Sequence, residues 1–458
     1  MPIKNTISTI SLVLLFVLIS FISSSNPNII NDNLKSLYNA NSEISQGDNV
    51  SQSQDQAQNY EKNEESSAES NSSSENKNAA NVNNSQGNKS SGSSTSYGST
   101  TSYNPTKGKY VVGYYTGWSR YKGYYPENIN TSKLTHINYA FAKLNSNLTI
   151  SMADENVDIK NFESLNKIKS NNNKIKTLIS VGGWDYSTYF SNAALNLTNR
   201  ETFAQSCVDF ILKYGFDGVD IDWEYPVSGG ASGNVNRNED KQNYTLLLQT
   251  VRNKLNYQSQ KDGKTYYLTT TAAPSSWYVN KIEASKVSSI VDYIFLMGYD
   301  FHGPWDTYTD LNAPLYTVQN AAQNYQSSIN DGINVFLNSG VPSSKIVLGM
   351  PFYGYEYNIN DNSYNGLYST FSLSSSITYD NVISKFLNNS LYKLLFHNVA
   401  RVPYIFGNNK FITFENEQSI AEKTKLAKSK GLLGIGAWEL SCDKNAALLS
   451  SAYKTLYN

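Results

Sequence analysis

From residue 110 onward the chain alternates between two hydrophobic rhythms. Short β-branched or aromatic runs recur: "YVVGYYT" from 110, "LTHINYAFA" from 134, "KIKTLISVGG" from 174, "DGVDIDW" from 217, "YYLTTTAAP" from 266, "DYIFLMGYD" from 292, "KIVLGMPFYG" from 345 and "LLGIGAWEL" from 432. Runs of this length and make-up predict strands. Between them lie amphipathic segments that predict helices, such as "RETFAQSCVDFILKYG" (200–215) and "TLLLQTVRNKLNYQ" (245–258). Eight strands alternating with helices predict an α/β fold, the closed (β/α)8 TIM barrel. The competing open, doubly wound sheet would usually carry a Gly-rich phosphate loop after its first strand. None follows residues 110–116.

Two stretches break the rhythm. Residues 355–430 are too many for a structureless connection in a compact domain, and "RVPYIFGNNKFITF" (401–414) carries its own strand pattern. A small α+β insertion between the seventh and eighth strands is expected there, walling one side of a cleft. Residues 26–107 are rich in Ser, Asn, Gln, Glu and Lys. They hold too little apolar surface to offset the entropy of ordering, which predicts a disordered spacer. Ahead of it, Lys4 and the apolar run "ISLVLLFVLISFISSS" (10–25) read as a signal peptide over 1–25. That run is short for a membrane span, which needs about 20 apolar residues. The expectation is a secreted protein, extracellular or wall-associated, without stable membrane insertion, whose barrel occupies 108–458. Asn147, Asn196 and Asn243 each open an Asn-x-Thr acceptor for N-glycans.

Composition narrows the function classes. A formal net charge of -1 gives no basic surface for nucleic acid. His136, His302 and His397 are scattered and form no metal-ligand spacing. Cys207 and Cys442 are too few for a disulfide framework and leave two readings, free buried thiols or one bridge.

The chemistry sits in "GFDGVDIDWEYP" (215–226). On a strand, side chains alternate faces. Asp220, Asp222 and Glu224 then share the inward face, while Val219, Ile221 and Trp223 point outward to the helices. Glu224 falls nearest the C-terminal mouth, where barrel enzymes do chemistry. Asp217 has the other parity and a structural role is expected for it. Neighbouring acids on one face lie about 6–7 Å apart, so burial and mutual repulsion must raise at least one pKa. A carboxylic acid still protonated near neutral pH is what general-acid catalysis needs. A calcium loop is the alternative for an acidic run, but its Gly and distant Glu are out of place here.

These residues resemble glycoside hydrolase family 18, the chitinases. "DGVDIDWE" is similar to its DxxDxDxE signature. "LISVGGW" resembles its SxGG strand, with Ser180, Gly182 and Gly183. "LMGYDFHGPW" resembles its MxYD motif, with Met297, Tyr299 and Asp300. "THINYAFA", "LGMPFYG" and "GIGAWELSCD" resemble its second, seventh and eighth strands, and the match runs from about 109 to 458. The resemblance implies retaining, substrate-assisted hydrolysis of β-1,4-linked N-acetylglucosamine polymers, without metal or organic cofactor. It implies that Glu224 protonates the glycosidic oxygen and that the substrate's acetamido oxygen attacks, giving an oxazolinium ion. Asp222 would hold the acetamido N–H, Asp220 would share its proton, and Tyr299 would hold the acetamido oxygen. Asp300, Met297, Tyr225, Tyr114, Phe141 and Tyr353 would line the cleavage point. Trp438 would be the sugar platform, with Trp118, Trp184 and Trp305 at further subsites. Trp223 and Trp277 are expected in the core instead. One departure is that Tyr355 stands where many members carry Arg after "YG", which puts a substrate or acid contact in doubt.

Chitin or chito-oligosaccharides are the expected partners, with no nucleic acid, and the chain is expected to be a monomer. A chitin-binding lectin and an endo-β-N-acetylglucosaminidase acting on N-glycans are the alternatives within the family. A wall or coat protein attached through the Ser/Asn-rich segment is the alternative outside it.

Overall fold

The computed structural model describes residues 109–319 and 327–458; the signal-peptide and spacer readings lie outside the described residues. The strands, in chain order, are β1 (Tyr110–Thr116), β2 (His136–Leu144), β3 (Ile150–Met152), β4 (Lys176–Gly182), β5 (Gly218–Asp222), β6 (Tyr267–Ala272) and β7 (Tyr293–Met297). Then come β8 (Ile346–Pro351), β9 (Tyr353–Ile359), β10 (Phe371–Thr378), β11 (Lys393–His397), β12 (Val402–Gly407), β13 (Lys410–Thr413) and β14 (Gly434–Trp438). Parallel pairing runs β1-β2-β4-β5-β6-β7-β8-β14 and returns from β14 to β1, closing an eight-stranded barrel. The short β3 adds antiparallel to the end of β2.

Period-two alternation sorts the strand residues into two cores. Val112, Tyr114, Phe141, Tyr293, Phe295 and Val347 fill the barrel interior. Their neighbours Val111, Tyr115, Val219, Ile221, Ile294 and Leu296 face the helices. The helix Leu197–Tyr214 shows how the outer layer is punctuated. The Asn196 side chain accepts the Asn199 N–H at its start, and Gly215, in the left-handed region, ends it. Its buried side carries Phe203, Ala204, Cys207, Val208 and Ile211.

Cys207 and Cys442 are both buried free thiols, which settles the cysteine alternatives. Of the three glycan acceptors, Asn243 is corrected. It lies on the buried side of the helix Asp240–Asp262, where a glycan would be incompatible with the packed fold.

Between β8 and β14 the chain builds a second, five-stranded antiparallel sheet, in the order β10-β9-β13-β12-β11. It has its own core of Tyr355, Tyr357, Ile359, Tyr404 and Phe411. Strand β9 begins two residues after β8 ends, so the insertion grows directly out of the barrel mouth. The helix Glu417–Ser429 follows the sheet and packs on β8 and β14, as an outer helix of the barrel does. A fully buried Lys423–Glu415 ion pair fixes its approach. No helix among the described residues is long and apolar enough to cross a membrane.

Candidate active site

The three acids converge at the C-terminal mouth, each in a different setting. Asp220 is completely buried and accepts three hydroxyl hydrogen bonds: from Tyr114 at 2.8 Å, Ser180 at 2.8 Å and Thr269 at 2.6 Å. Burial raises its pKa, and those three donors oppose the rise. Asp222 is the last residue of β5 and accepts from Thr271 at 2.5 Å. Burial first, then the charges of Glu224 and Asp220, push its pKa well up. The two threonines come from β6, whose register sets Thr269 opposite Asp220.

Glu224 stands beyond the end of β5, partly open to the cleft. Burial pushes its carboxyl up to about 7; a hydrogen bond with Tyr225 opposes this, and the charges of Asp300 and Asp185 add to it. A group poised there can give a proton at neutral pH and take one back. Trp223, between the last two acids, is buried among the helices, stacked on Phe190 at 5.4 Å.

Opposite the acids, Tyr299 follows β7 and is drawn to the same charges: its hydroxyl pKa is pushed up by burial, then by Asp222, Asp300 and Glu224. Asp300 has a left-handed backbone (φ 59°), held by its N–H donating to Asn312 at 2.9 Å. Its carboxylate accepts from the hydroxyls of both Tyr353 and Tyr355. Tyr355 therefore supplies a neutral donor to Asp300 from the position where Arg was expected. Trp305 meets the Tyr355 ring edge-on at 5.9 Å.

The floor is aromatic. Trp438, at the end of β14, packs on Tyr114 (5.4 Å) and Phe141 (5.7 Å), and Met297 packs against the same interior cluster. Trp118 continues the surface from Phe141 at 6.3 Å. Trp118, Trp184 and Trp305 are exposed by 40%, 53% and 62%, which leaves their rings free to pack against a ligand. The structure thus brings Asp220, Asp222, Glu224 and Asp300 together with Tyr299, Trp438 and its neighbouring aromatics at one end of the barrel. Asp217 stays at the other end, where it accepts the Thr177 N–H and pairs with Lys169 at 3.0 Å. A separate cavity of about 430 Å3 opens at that far end, lined by Asp217 but by none of Asp220, Asp222 and Glu224.

Trp277 is a correction. It is 42% exposed rather than packed under helices. It meets the Tyr225 ring edge-on at 5.4 Å, with Lys281 over its own ring at 3.1 Å. Trp277 lies in the short helix Ser276–Val279 beyond the end of β6, where strand parity no longer applies. Other contributors went unnamed. Thr269 and Thr271 carry a legible signal, two hydroxyls at period two on the strand beside the acids. Ser187, Asn234 and Asp185 sit on loops, and nothing in their local sequence marks them.

Comparison with known proteins bears on this geometry. The sequence model of Glycosyl hydrolases family 18 matches residues 110–443. Chitinase A1 of Niallia circulans is 38% identical, covering 74% of this chain and 57% of the relative, so the chain spans little more than half of that protein. Chitotriosidase-1 of Mus musculus is 32% identical over 73% of each chain. Among solved structures, a chitinase from Bacillus thuringiensis is similar with a TM-score of 0.72 at 33% identity, covering 76% of this chain and 70% of that one. A family 18 N-acetylglucosaminidase from Paenibacillus barengoltzii gives 0.70 at 32% identity, covering 76% of this chain and all of the other.

Proposed function

Because the chain belongs to the glycosyl hydrolases of family 18, we propose that it hydrolyses chitin by a retaining mechanism in which the substrate supplies the nucleophile. The observation that carries the reading is the graded set Asp220, Asp222 and Glu224: three acids in line, two enclosed by hydroxyl donors and the last facing the cleft with its pKa near 7.

In this reading the polymer lies across the barrel mouth with its sugar faces on Trp438 and the exposed tryptophans. Glu224 gives its proton to the glycosidic oxygen as the C–O bond breaks. The acetamido carbonyl oxygen of the sugar on the non-reducing side attacks the anomeric carbon, closing an oxazolinium ring. Asp222 accepts the acetamido N–H and balances the positive charge, while the Tyr299 hydroxyl orients the carbonyl. The proton between Asp220 and Asp222 moves toward Asp220 as that charge grows, because the anion it leaves on Asp222 lies nearer the positive ring. Glu224, now ionised, takes a proton from water, which opens the ring and restores the acid. The anomeric configuration is retained because two inversions occur at one carbon.

The test is substrate choice. Colloidal chitin and N-acetylated oligomers should release soluble sugars, with the β-anomer formed first. Fully deacetylated chitosan oligomers should not be cut, because they lack the nucleophile. Efficient cleavage of those oligomers would contradict substrate assistance.

A further inference from the structure

Strand β5 ends at Asp222, so no ladder hydrogen bond fixes Glu224 two residues later. Its peptide groups are held instead by side chains from two loops. The Ser187 hydroxyl is completely buried and accepts the Glu224 N–H at 2.9 Å. Its own proton goes to the Gly183 carbonyl at 2.8 Å, with the Asp222 carbonyl at 3.2 Å. On the other side, Asn234 Nδ2 donates to the Glu224 carbonyl at 2.8 Å. Gly230 presses on the same carbonyl so closely that a Cβ there would lie 2.0 Å from it.

We propose that Ser187 and Asn234 are positioning residues that clamp the backbone of Glu224 from both sides and so set the reach and direction of its carboxyl group. The proposal rests on Glu224 being the general acid. A carboxyl group one ångström out of place loses about 100-fold in rate, and a residue outside any sheet ladder has little else to hold it to that tolerance. Ser187 sits on the loop that carries Trp184, and it joins that loop to the exit of β5. The aromatic wall and the proton donor are thereby built into one unit.

Ser187→Ala and Asn234→Ala test this on N-acetylated chitin oligomers. Each should lower kcat about tenfold, with KM and oligomer affinity within about twofold of the parent, affinity being measured in the Glu224→Gln background. Loosening Glu224 also hydrates it, so the alkaline limb of the pH profile should move to lower pH. A serine that only stabilised its loop would lower the melting temperature without moving that limb. Should Ser187→Ala fail to fold, Asn234→Ala on the more accessible side decides alone. The clamp is overturned if folded variants keep kcat within twofold and an unmoved limb, or if weaker oligomer binding accounts for the whole loss. If instead Glu224→Gln itself turns over normally, it is the general-acid reading that fails.

Discussion

Single residues carry most of the chemistry, and their environments separate their roles. In the proposed mechanism Glu224 must be protonated to act, and burial pushes its pKa up to about 7. The sign follows directly: as pH rises through about 7 the acid is lost, so kcat/KM should fall on the alkaline side with a midpoint near that value. Asp185 contributes to the raised pKa by its charge. Asp185→Asn removes a repulsion that disfavours the anion, so Glu224 ionises more readily and the limb should move to lower pH. A pH–rate profile of both proteins checks the value and the direction. Asp220 is structural as well as chemical. Asp220→Ala would leave three buried hydroxyls without their acceptor, at roughly 1–3 kcal/mol each before relaxation. Denaturant unfolding should show a loss of roughly 3 kcal/mol or more, with Asp220→Asn losing less. Tyr355 is the residue the sequence left most open, and the structure answers it with a hydroxyl bonded to Asp300. Tyr355→Phe removes one of that carboxylate's two tyrosine donors and should raise KM for oligomers about fivefold, with a smaller change in kcat.

At the scale of elements, strand β5 explains why a short segment carries both acids and large apolar groups. Val219 and Ile221 bury one face among the helices, and the other face lines the barrel. The neighbouring β4 ends in Gly182, with Gly183 directly after it, for steric reasons. Gly182 has φ 108°, and a Cβ there would lie 2.2 Å from the Asp222 carbonyl. Gly182→Ala should therefore distort the exit of β5, lowering both the melting temperature and the activity; a fully active, equally stable variant would show that the contact gives way easily. The strands were legible because barrel strands are short apolar runs at period two, and the acids stood out against that pattern. The loop residues were not. Ser187 and Asn234 meet the Glu224 backbone, and the Asp185 charge acts on its carboxyl group, only because the barrel brings separate loops together, and no local pattern encodes that meeting. Trp277 was misplaced because strand parity does not carry into the short helix that holds it. Tyr355 was legible as a departure, but its partner Asp300 lies 55 residues away and became visible only in the fold.

At the largest scale the described residues form a barrel with a second sheet rising from its mouth. Strand β9 passes from the site, at Tyr353 and Tyr355, straight into the core of that sheet at Tyr357 and Ile359. The insertion is therefore continuous with one wall of the cleft, and it braces the residues that hold Asp300. Exposed tryptophans on the loops after β1, β4 and β7 stand around the same opening, a layout suited to an extended polymer rather than a single sugar. The proposed mechanism rests on one proton donor. The most direct measurement is turnover of an N-acetylated chitin oligomer by Glu224→Gln, with binding of the same oligomer followed in parallel. The expected result is a fall in kcat of about 1,000-fold or more, the upper part of the range for a lost acid–base catalyst, with oligomer affinity retained. Turnover within tenfold of the parent would contradict the assignment of Glu224 and the mechanism built on it.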